Sequence, residues 1–290
     1  MRRYLSIILL LWITAGCKET TAPTPIAESI HLSLGNPTNA KADTTSAENF
    51  LMLKEEFAIS YNRTKRHANW VAWELSKEWL GSSDRQDNFR PDPALPGGWY
   101  KAVTSDYTGS GFDRGHLCPS ADRTSSDEAN AATFLMTNII PQAPALNRES
   151  WAQLEEFCRS LAQKDYRLYI IAGTYGTGGE GSAGTATTIR NGINVSLHNY
   201  KVIVAIPGGG GIEQVSANTP VIAVDMPNRQ GLVDNKKWTD FITTPEDIEK
   251  VTGARFFTNL PQQVRDRLRA VHFNPATSVL QLDFEAFQAE

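Results

Sequence analysis

The strongest constraint on this chain comes from its short apolar runs: Trp70-Val71-Ala72-Trp73-Glu74-Leu75, Leu168 to Ala172, Val202 to Ile206 and Val221 to Val224. They are aromatic or β-branched and only a few residues long, which is the pattern of buried strands. From Asn147 to Lys164, the residues Trp151, Leu154, Cys158 and Leu161 recur at i, i+3, i+7 and i+10, predicting an amphipathic helix. Thr244-Pro245-Glu246-Asp247 reads as a helix start, with a capping hydroxyl, a proline in the first turn and acids at the positive end. Pro261 to Val271 reads as a last helix. No repeat and no linker divides the region from Phe50 onward. The expectation is one α+β domain of about 240 residues.

Hydrophobic residues make up 41% and charged residues 21%, which excludes a wholly disordered chain. No apolar run approaches the roughly 20 residues of a spanning helix, which excludes a multi-pass membrane protein. The N-terminus reads as an address. Met1-Arg2-Arg3 is followed by apolar Tyr4 to Ile13, small Thr14-Ala15-Gly16 and then Cys17. This resembles a bacterial lipoprotein signal, although Thr14 stands where an aliphatic residue is usual. It implies cleavage after residue 16, lipidation of Cys17 and anchoring in the cell envelope, facing the periplasm or the outside. An ordinary secretory signal is the alternative, giving a secreted protein. The expected organisation is a signal peptide over 1–16, a flexible Thr/Ala/Pro/Ser-rich tether over 17–49, and a folded domain over 50–290.

The formal charge is −4 and the pI about 5.8, and loss of Arg2 and Arg3 with the signal makes the chain more acidic still. That excludes a protein that coats nucleic acid through a basic surface. Between Arg85 and Arg123 the acids match the bases in number, so no basic stripe is visible there either. Within that window, Gly109-Ser110-Gly111-Phe112 leads into Asp113-Arg114-Gly115-His116. A carboxylate, a guanidinium and an imidazole sit together among glycines. Histidine accepts a proton near neutral pH, and the planar fork of an arginine suits phosphate or carboxylate. Alone, the cluster is better read as a turn with a salt bridge and an exposed histidine.

Phe112 to His116 resembles the DRGH block of the DNA/RNA non-specific endonucleases. The likeness extends to Asp84 to Asp92 upstream, and to Thr137 to Gln142 and Asn147 to Glu155 downstream. It covers the chain from about Asn69 onward and is similar to the cyanobacterial sugar-non-specific branch. The resemblance implies a mostly antiparallel central sheet flanked by helices, with a ββα-metal finger as active site. It implies His116 as general base and Asn147 as the direct ligand of a divalent cation, Mg²⁺ with Mn²⁺ as the alternative. Glu155 would hold cation-bound water, and Arg85 and Arg159 would contact phosphate. Arg114 would support the finger or the phosphate, and Asn138 would be an accessory polar contact. The implied activity is hydrolysis of DNA and RNA to 5′-phosphorylated fragments; the absence of a basic stripe adds the expectation of weak, readily released substrate binding with a shallow salt dependence. Without the resemblance, Asn147 reads as a helix N-cap and Glu155 as a surface partner of Arg159. On a continuous helix, Asn147, Glu155 and Arg159 would face one cleft.

Other features are read more simply. Gly176-Thr177-Gly178-Gly179-Glu180-Gly181 fits GxGxxG, but no helical pattern follows it, so a flexible surface loop is expected rather than a dinucleotide site. Pro207 to Gly211 is a turn between strands. With Cys17 lipidated, Cys118 and Cys158 form an even pair in an oxidising compartment; a disulfide is expected, with two buried thiols as the alternative. Two rival functions remain open: an envelope nucleic-acid-binding module without catalysis, and a phosphodiesterase for smaller phosphodiesters. Neither oligomeric state nor an inhibitor protein can be read from the sequence.

Overall fold

The computed structural model describes residues 29–289. Its strands are β1 (Phe50–Leu53), β2 (Ala58–Asn62), β3 (His67–Leu75), β4 (Asp113–His116), β5 (Ile139–Gln142) and β6 (Arg167–Tyr175). Then come β7 (Gly179–Gly181), β8 (Gly184–Ala186), β9 (Thr188–Ile189), β10 (Ile193–Asn194), β11 (His198–Ile206), β12 (Val221–Pro227) and β13 (Ile242–Thr243). The helices are α1 (Asp127–Ala132), α2 (Pro144–Arg148), α3 (Ser150–Gln163), α4 (Gln230–Val233), α5 (Pro245–Thr252), α6 (Gln262–Arg269) and α7 (Gln281–Ala289). All the apolar runs became strands of one seven-stranded sheet in the order β1-β2-β3-β6-β11-β12-β13, every pair antiparallel. The fold is α+β, as expected.

Strand alternation divides the core into two layers. On β11, Ile203 and Ala205 join Trp73, Ile170, Val224 and the apolar side of α3 and α7. Tyr200, Val202 and Val204 point the other way, against Leu34, Ile248, Phe256 and Leu268. The helical stripe is buried as its spacing predicts, through Trp151, Leu154, Phe157, Cys158 and Leu161. Each such side chain contributes about 1.5–3 kcal/mol of burial. Thr244 caps α5 by accepting from Asp247 N–H, and Gly253 ends that helix in the left-handed region at φ 73°.

Four expectations are corrected. The segment from Ser29 to Asn49 is folded rather than tethering. Leu34 and Ala40 are buried, Trp70 Nε1 donates to Thr38 Oγ1 at 2.9 Å, and Leu51 N–H donates to Lys41 O. Its few apolar groups suffice because its polar groups find partners along the sheet. Cys118 and Cys158 are both free and share one apolar cluster, so the disulfide is not formed. Burial pushes the Cys158 thiol up to about 12 and raises Cys118 as well. The helix expected from Asn147 is interrupted at Glu149 (φ −115°, ψ −98°), so Asn147 lies inside short α2 and is no N-cap. The GxGxxG run, instead of a plain loop, enters the β7–β8 hairpin, and Pro207 to Gly211 is a turn as expected. The signal peptide, Cys17 and the tether up to residue 28 lie outside the described residues. Among the described residues no helix is long and apolar enough to cross a membrane.

Two buried histidines hold the fold in their neutral form. His31 Nδ1 accepts from Glu74 N–H while Nε2 donates to Glu55 O, and His67 Nδ1 donates to Ala68 O. Burial lowers both to about 4 from the ordinary 6.5. The unfolded chain therefore takes up their protons first, so stability is lost as pH falls from 6.5 toward 4. Each histidine contributes up to about 1.4 kcal/mol per pH unit in that window. Urea midpoints measured across it should fall less steeply for His31→Gln than for the unsubstituted chain. Equal slopes would show that His31 protonates freely in the folded state.

Candidate active site

Strands β4 and β5 pair antiparallel with Asp113 opposite Gln142 and His116 opposite Ile139, and α2 and α3 follow directly. This is the expected ββα unit. Gly115 is required in it, because a Cβ there would collide with the side chain of Gln142 on the neighbouring strand. Asn138 staples its closed end: Oδ1 accepts from Cys118 N–H, and Nδ2 donates to the carbonyls of Cys118 and Thr133. That residue, expected as an accessory contact, is fully buried and structural.

Alternation along β4 sends Arg114 and His116 one way and Asp113 the other. Asp113 faces α2, where Asn147 Nδ2 donates to its Oδ2 at 3.0 Å and Arg148 grips both carboxylate oxygens at 2.8 Å. The amide nitrogen of Asn147 is thereby occupied, and its carbonyl oxygen is the free end of the group. Asn147, Asp113 and Arg114 line a cavity of about 500 Å³ together with Arg85, Phe89, Thr104 and Phe112. Among the described residues no cluster of three or more His, Cys, Asp or Glu side chains could enclose a metal. The donor set therefore suits only a cation that keeps most of its water and prefers oxygen, as Mg²⁺ or Mn²⁺ does.

His116 sits immediately behind this cavity. Its ring is clasped between Phe89 and Phe134, with centroids 5.4 and 4.9 Å away, and its carbonyl accepts from Trp151 Nε1. Nε2 is buried with no hydrogen-bond partner among the described residues. Burial first, then the positive charges of Arg85 and Arg114, lower the imidazole from 6.5 to about 3. It is neutral at physiological pH, with a nitrogen available to a proton. The two arginines lie over the same phenylalanines, Arg114 4.2 Å from Phe89 and Arg85 4.8 Å from Phe134. Arg85 also donates to Ser120 Oγ and touches exposed Asp87 at 3.4 Å. Arg114 is thus oriented by an aromatic face, which leaves its charge open to an anion, while Arg85 shares part of its charge with exposed Asp87.

Glu155 and Arg159 are not in the wall of that cavity. The break at Glu149 removes the continuous helix on which they would have shared a face with Asn147. Glu155 Oε1 accepts from buried Lys201 at 2.8 Å, whose ammonium lies 4.0 Å from the Trp151 ring centre. Desolvation raises the Glu155 carboxyl, opposed by Lys201 and Arg159. Arg159 donates to buried Asp122, which also accepts from Trp73 Nε1. Both side chains form a layer behind the ββα unit, linked to His116 through Trp151.

Sequence reading missed two kinds of residue. Asp113 was visible in the DRGH block, yet its hold on Asn147 had no signal. Asn228 had none at all. Its Oδ1 accepts from Ala143 N–H, and its Nδ2 donates to Pro141 O and Ser196 O, while Gln230 Oε1 accepts from Ala145 N–H. These side chains, 85 residues away, supply the N-terminal partners that α2 cannot supply itself, because its own N-cap is Ala143.

Residues 34–263 match the sequence model described as DNA/RNA non-specific endonuclease. The chain is 41% identical to a nuclease of Nostoc sp., over 92% of this chain and 96% of that one. It is 34% identical to nuclease C1 of Cunninghamella echinulata, over 81% and 90% of the two chains. Human mitochondrial endonuclease G is 32% identical over 72% and 70%. A solved structure described as an EndoG/EndoGI complex superposes with a TM-score of 0.67 at 24% identity, covering 84% of this chain and 96% of that one.

The clamp on α2 is directly testable. Asn228→Ala orphans the Ala143 N–H and two carbonyls, at a cost of about 3 kcal/mol in unfolding free energy. A denaturation midpoint equal to that of the unsubstituted chain would show that α2 holds its position without this residue.

Proposed function

Since the chain belongs to the DNA/RNA non-specific endonuclease family, we propose that it is a metal-dependent, sugar-non-specific endonuclease cutting DNA and RNA to 5′-phosphorylated fragments. The observation that carries this reading is a neutral, buried imidazole with a free nitrogen, next to a cavity that also holds two arginines and the Asn147 carbonyl. Arg85 and Arg114 grip the non-bridging oxygens of the scissile phosphate, and the aromatic faces beneath them fix their orientation before substrate arrives. Asn147 Oδ1 would be the protein ligand for Mg²⁺, or Mn²⁺, which would neutralise charge on the phosphate and favour departure of the 3′-oxygen. Nε2 of His116 takes the proton from the attacking water. Glu155 and Arg159, paired with Lys201 and Asp122 behind the ββα unit, stand outside the cavity wall and support His116 through Trp151 rather than touching the phosphate. Because these groups address phosphate rather than bases, ribose and deoxyribose strands are both substrates.

The low pKa of His116 fits a base tuned by its own substrate. In the free protein the ring stays neutral down to about pH 3. A phosphate bound between Arg85 and Arg114 cancels their charge and makes the nitrogen more basic. The acid limb of kcat should therefore lie at higher pH than that of kcat/KM, which reports the free enzyme. An acid limb of kcat/KM near the ordinary histidine value of about 6.5 would contradict this tuning.

We further propose that residues 1–16 are removed, that Cys17 carries a lipid and that the enzyme works in the cell envelope. Cys17→Ser should move the protein from the membrane fraction to the soluble one, and unchanged partitioning would favour a simple secretory signal.

The activity itself is tested by incubating the purified protein with plasmid DNA and with RNA in Mg²⁺ or Mn²⁺. Both should be cleaved, EDTA should stop it, and His116→Ala should lower the rate at least a hundredfold. Folded protein that binds but does not cut would be a binding module instead, and cleavage of dinucleotides alone would mark a small-substrate phosphodiesterase.

A further inference from the structure

Among the described residues four exposed or half-buried arginines lie over aromatic rings, and two of them belong to the cavity already described. The others are Arg66, 4.7 Å from the centre of Tyr100, and Arg63, 5.7 Å from that of Trp99. They arise from the four-residue turn between β2 and β3 and from the segment that leads to Thr104. They lie upstream of the Arg85–Arg123 window in which acids and bases balance.

Several observations join them to the active site. The hydroxyl of Tyr100 donates to Asp106 at 2.7 Å and accepts from Asn191 at 2.8 Å, which locks the ring. Asp106 closes the short turn Thr104–Asp106, and Thr104, Tyr107 and Thr108 line the cavity that holds Asn147 and Arg114. Tyr100 and Phe89, the ring beneath Arg114, pack on the same small apolar cluster. Among the described residues neither Arg63 nor Arg66 is in any ion pair. The neighbouring acid, Asp106, is 1% exposed and fully used by Tyr100, Val103 N–H and Asn191. Arg66 also sits at φ 65°, a conformation that asparagine or glycine adopts more cheaply by about 1 kcal/mol. A guanidinium is kept at a position where the backbone favours another residue.

Resting on the nuclease reading, we infer that Arg66 on Tyr100 and Arg63 on Trp99 form a second binding region for the nucleic-acid strand, continuous with the cavity through the Thr104–Asp106 turn. The guanidiniums take backbone phosphates beyond the scissile one. The ring edges beside them offer stacking to bases, a contact that tolerates any sequence. The region supplies the polyanion track that the acidic composition conceals, and it replaces the expectation of weak binding with little salt dependence.

The test uses the full chain carrying Arg63→Ala and Arg66→Asn, the asparagine being chosen because it suits the left-handed backbone. Both this variant and its parent also carry His116→Ala and are kept in EDTA, so that binding of a labelled 20-mer is read without cleavage. The double substitution should weaken binding about tenfold or more at 0.1 M salt and reduce the salt slope by about two. In the His116 background, cleavage of the 20-mer relative to a dinucleotide should fall by a similar factor. Unchanged affinity and slope in a chain that cleaves nucleic acid would overturn the inference alone. No cleavage by the unsubstituted chain in Mg²⁺ or Mn²⁺, together with no binding by the His116→Ala parent, would instead overturn the nuclease reading. Equal loss of binding to polyglutamate would assign the region to acidic polypeptide and overturn its nucleic-acid role.

Discussion

The hydrogen bond from the Asn147 amide to Asp113 is the interaction on which the site depends. It spans 34 residues and ties β4 to α2, the two pieces of the ββα unit that carry its chemistry. An amide rotating freely would offer a nitrogen or an oxygen to the cavity. Once its nitrogen is given to a carboxylate, the oxygen is the group that remains. Arg148 holds the same carboxylate in a two-point grip, so the acceptor is itself fixed. Around this bond, Gly115 allows β4 and β5 to approach, Asn138 closes their far end, and Asn228 with Gln230 seats α2.

The second design feature is the use of aromatic rings, rather than carboxylates, to orient cations. Arg114 has no carboxylate partner among the described residues and Arg85 has only exposed Asp87 at 3.4 Å, so Phe89 and Phe134 aim both while leaving most of their charge to the substrate. The same two rings bury His116, so one pair of side chains both aims the arginines and keeps the base neutral. Behind the ββα unit the protein uses buried ion pairs: Arg159 with Asp122, and Lys201 with Glu155. Arg63 and Arg66 repeat the aromatic arrangement farther out.

Local patterns were legible in the sequence and distant ones were not. The apolar runs foretold β3, β6, β11 and β12, the stripe from Trp151 to Leu161 foretold the buried side of α3, and Thr244 foretold its cap. The DRGH block and its companions identified the residues of the ββα unit. The segment from Ser29 to Asn49 looked like a tether because polar residues dominate it. It folds because His31 and Thr38 find partners at Glu55 and Trp70, and Asn49 bonds to Thr38 and Ser60. The interruption at Glu149 leaves the apolar spacing of α3 intact, so periodicity could not reveal that Asn147 stands on a separate helix. Cysteine parity suggested a bridge, whereas Cys118 and Cys158 serve as small apolar fillers. Asn228 acts through backbone groups 85 residues off, a relation with no local trace.

If the Asp113 bond is what presents Asn147 to a cation, it should be measurable without any turnover. Calorimetric titration of Mn²⁺ into the protein and into Asp113→Ala, with circular dichroism to confirm the fold, isolates this step. The variant should keep its fold and bind Mn²⁺ about 10- to 100-fold more weakly, the usual effect of losing a partner that orients a metal ligand. Equal Mn²⁺ affinity in the two proteins, or no Mn²⁺ binding by the unsubstituted one, would contradict the account.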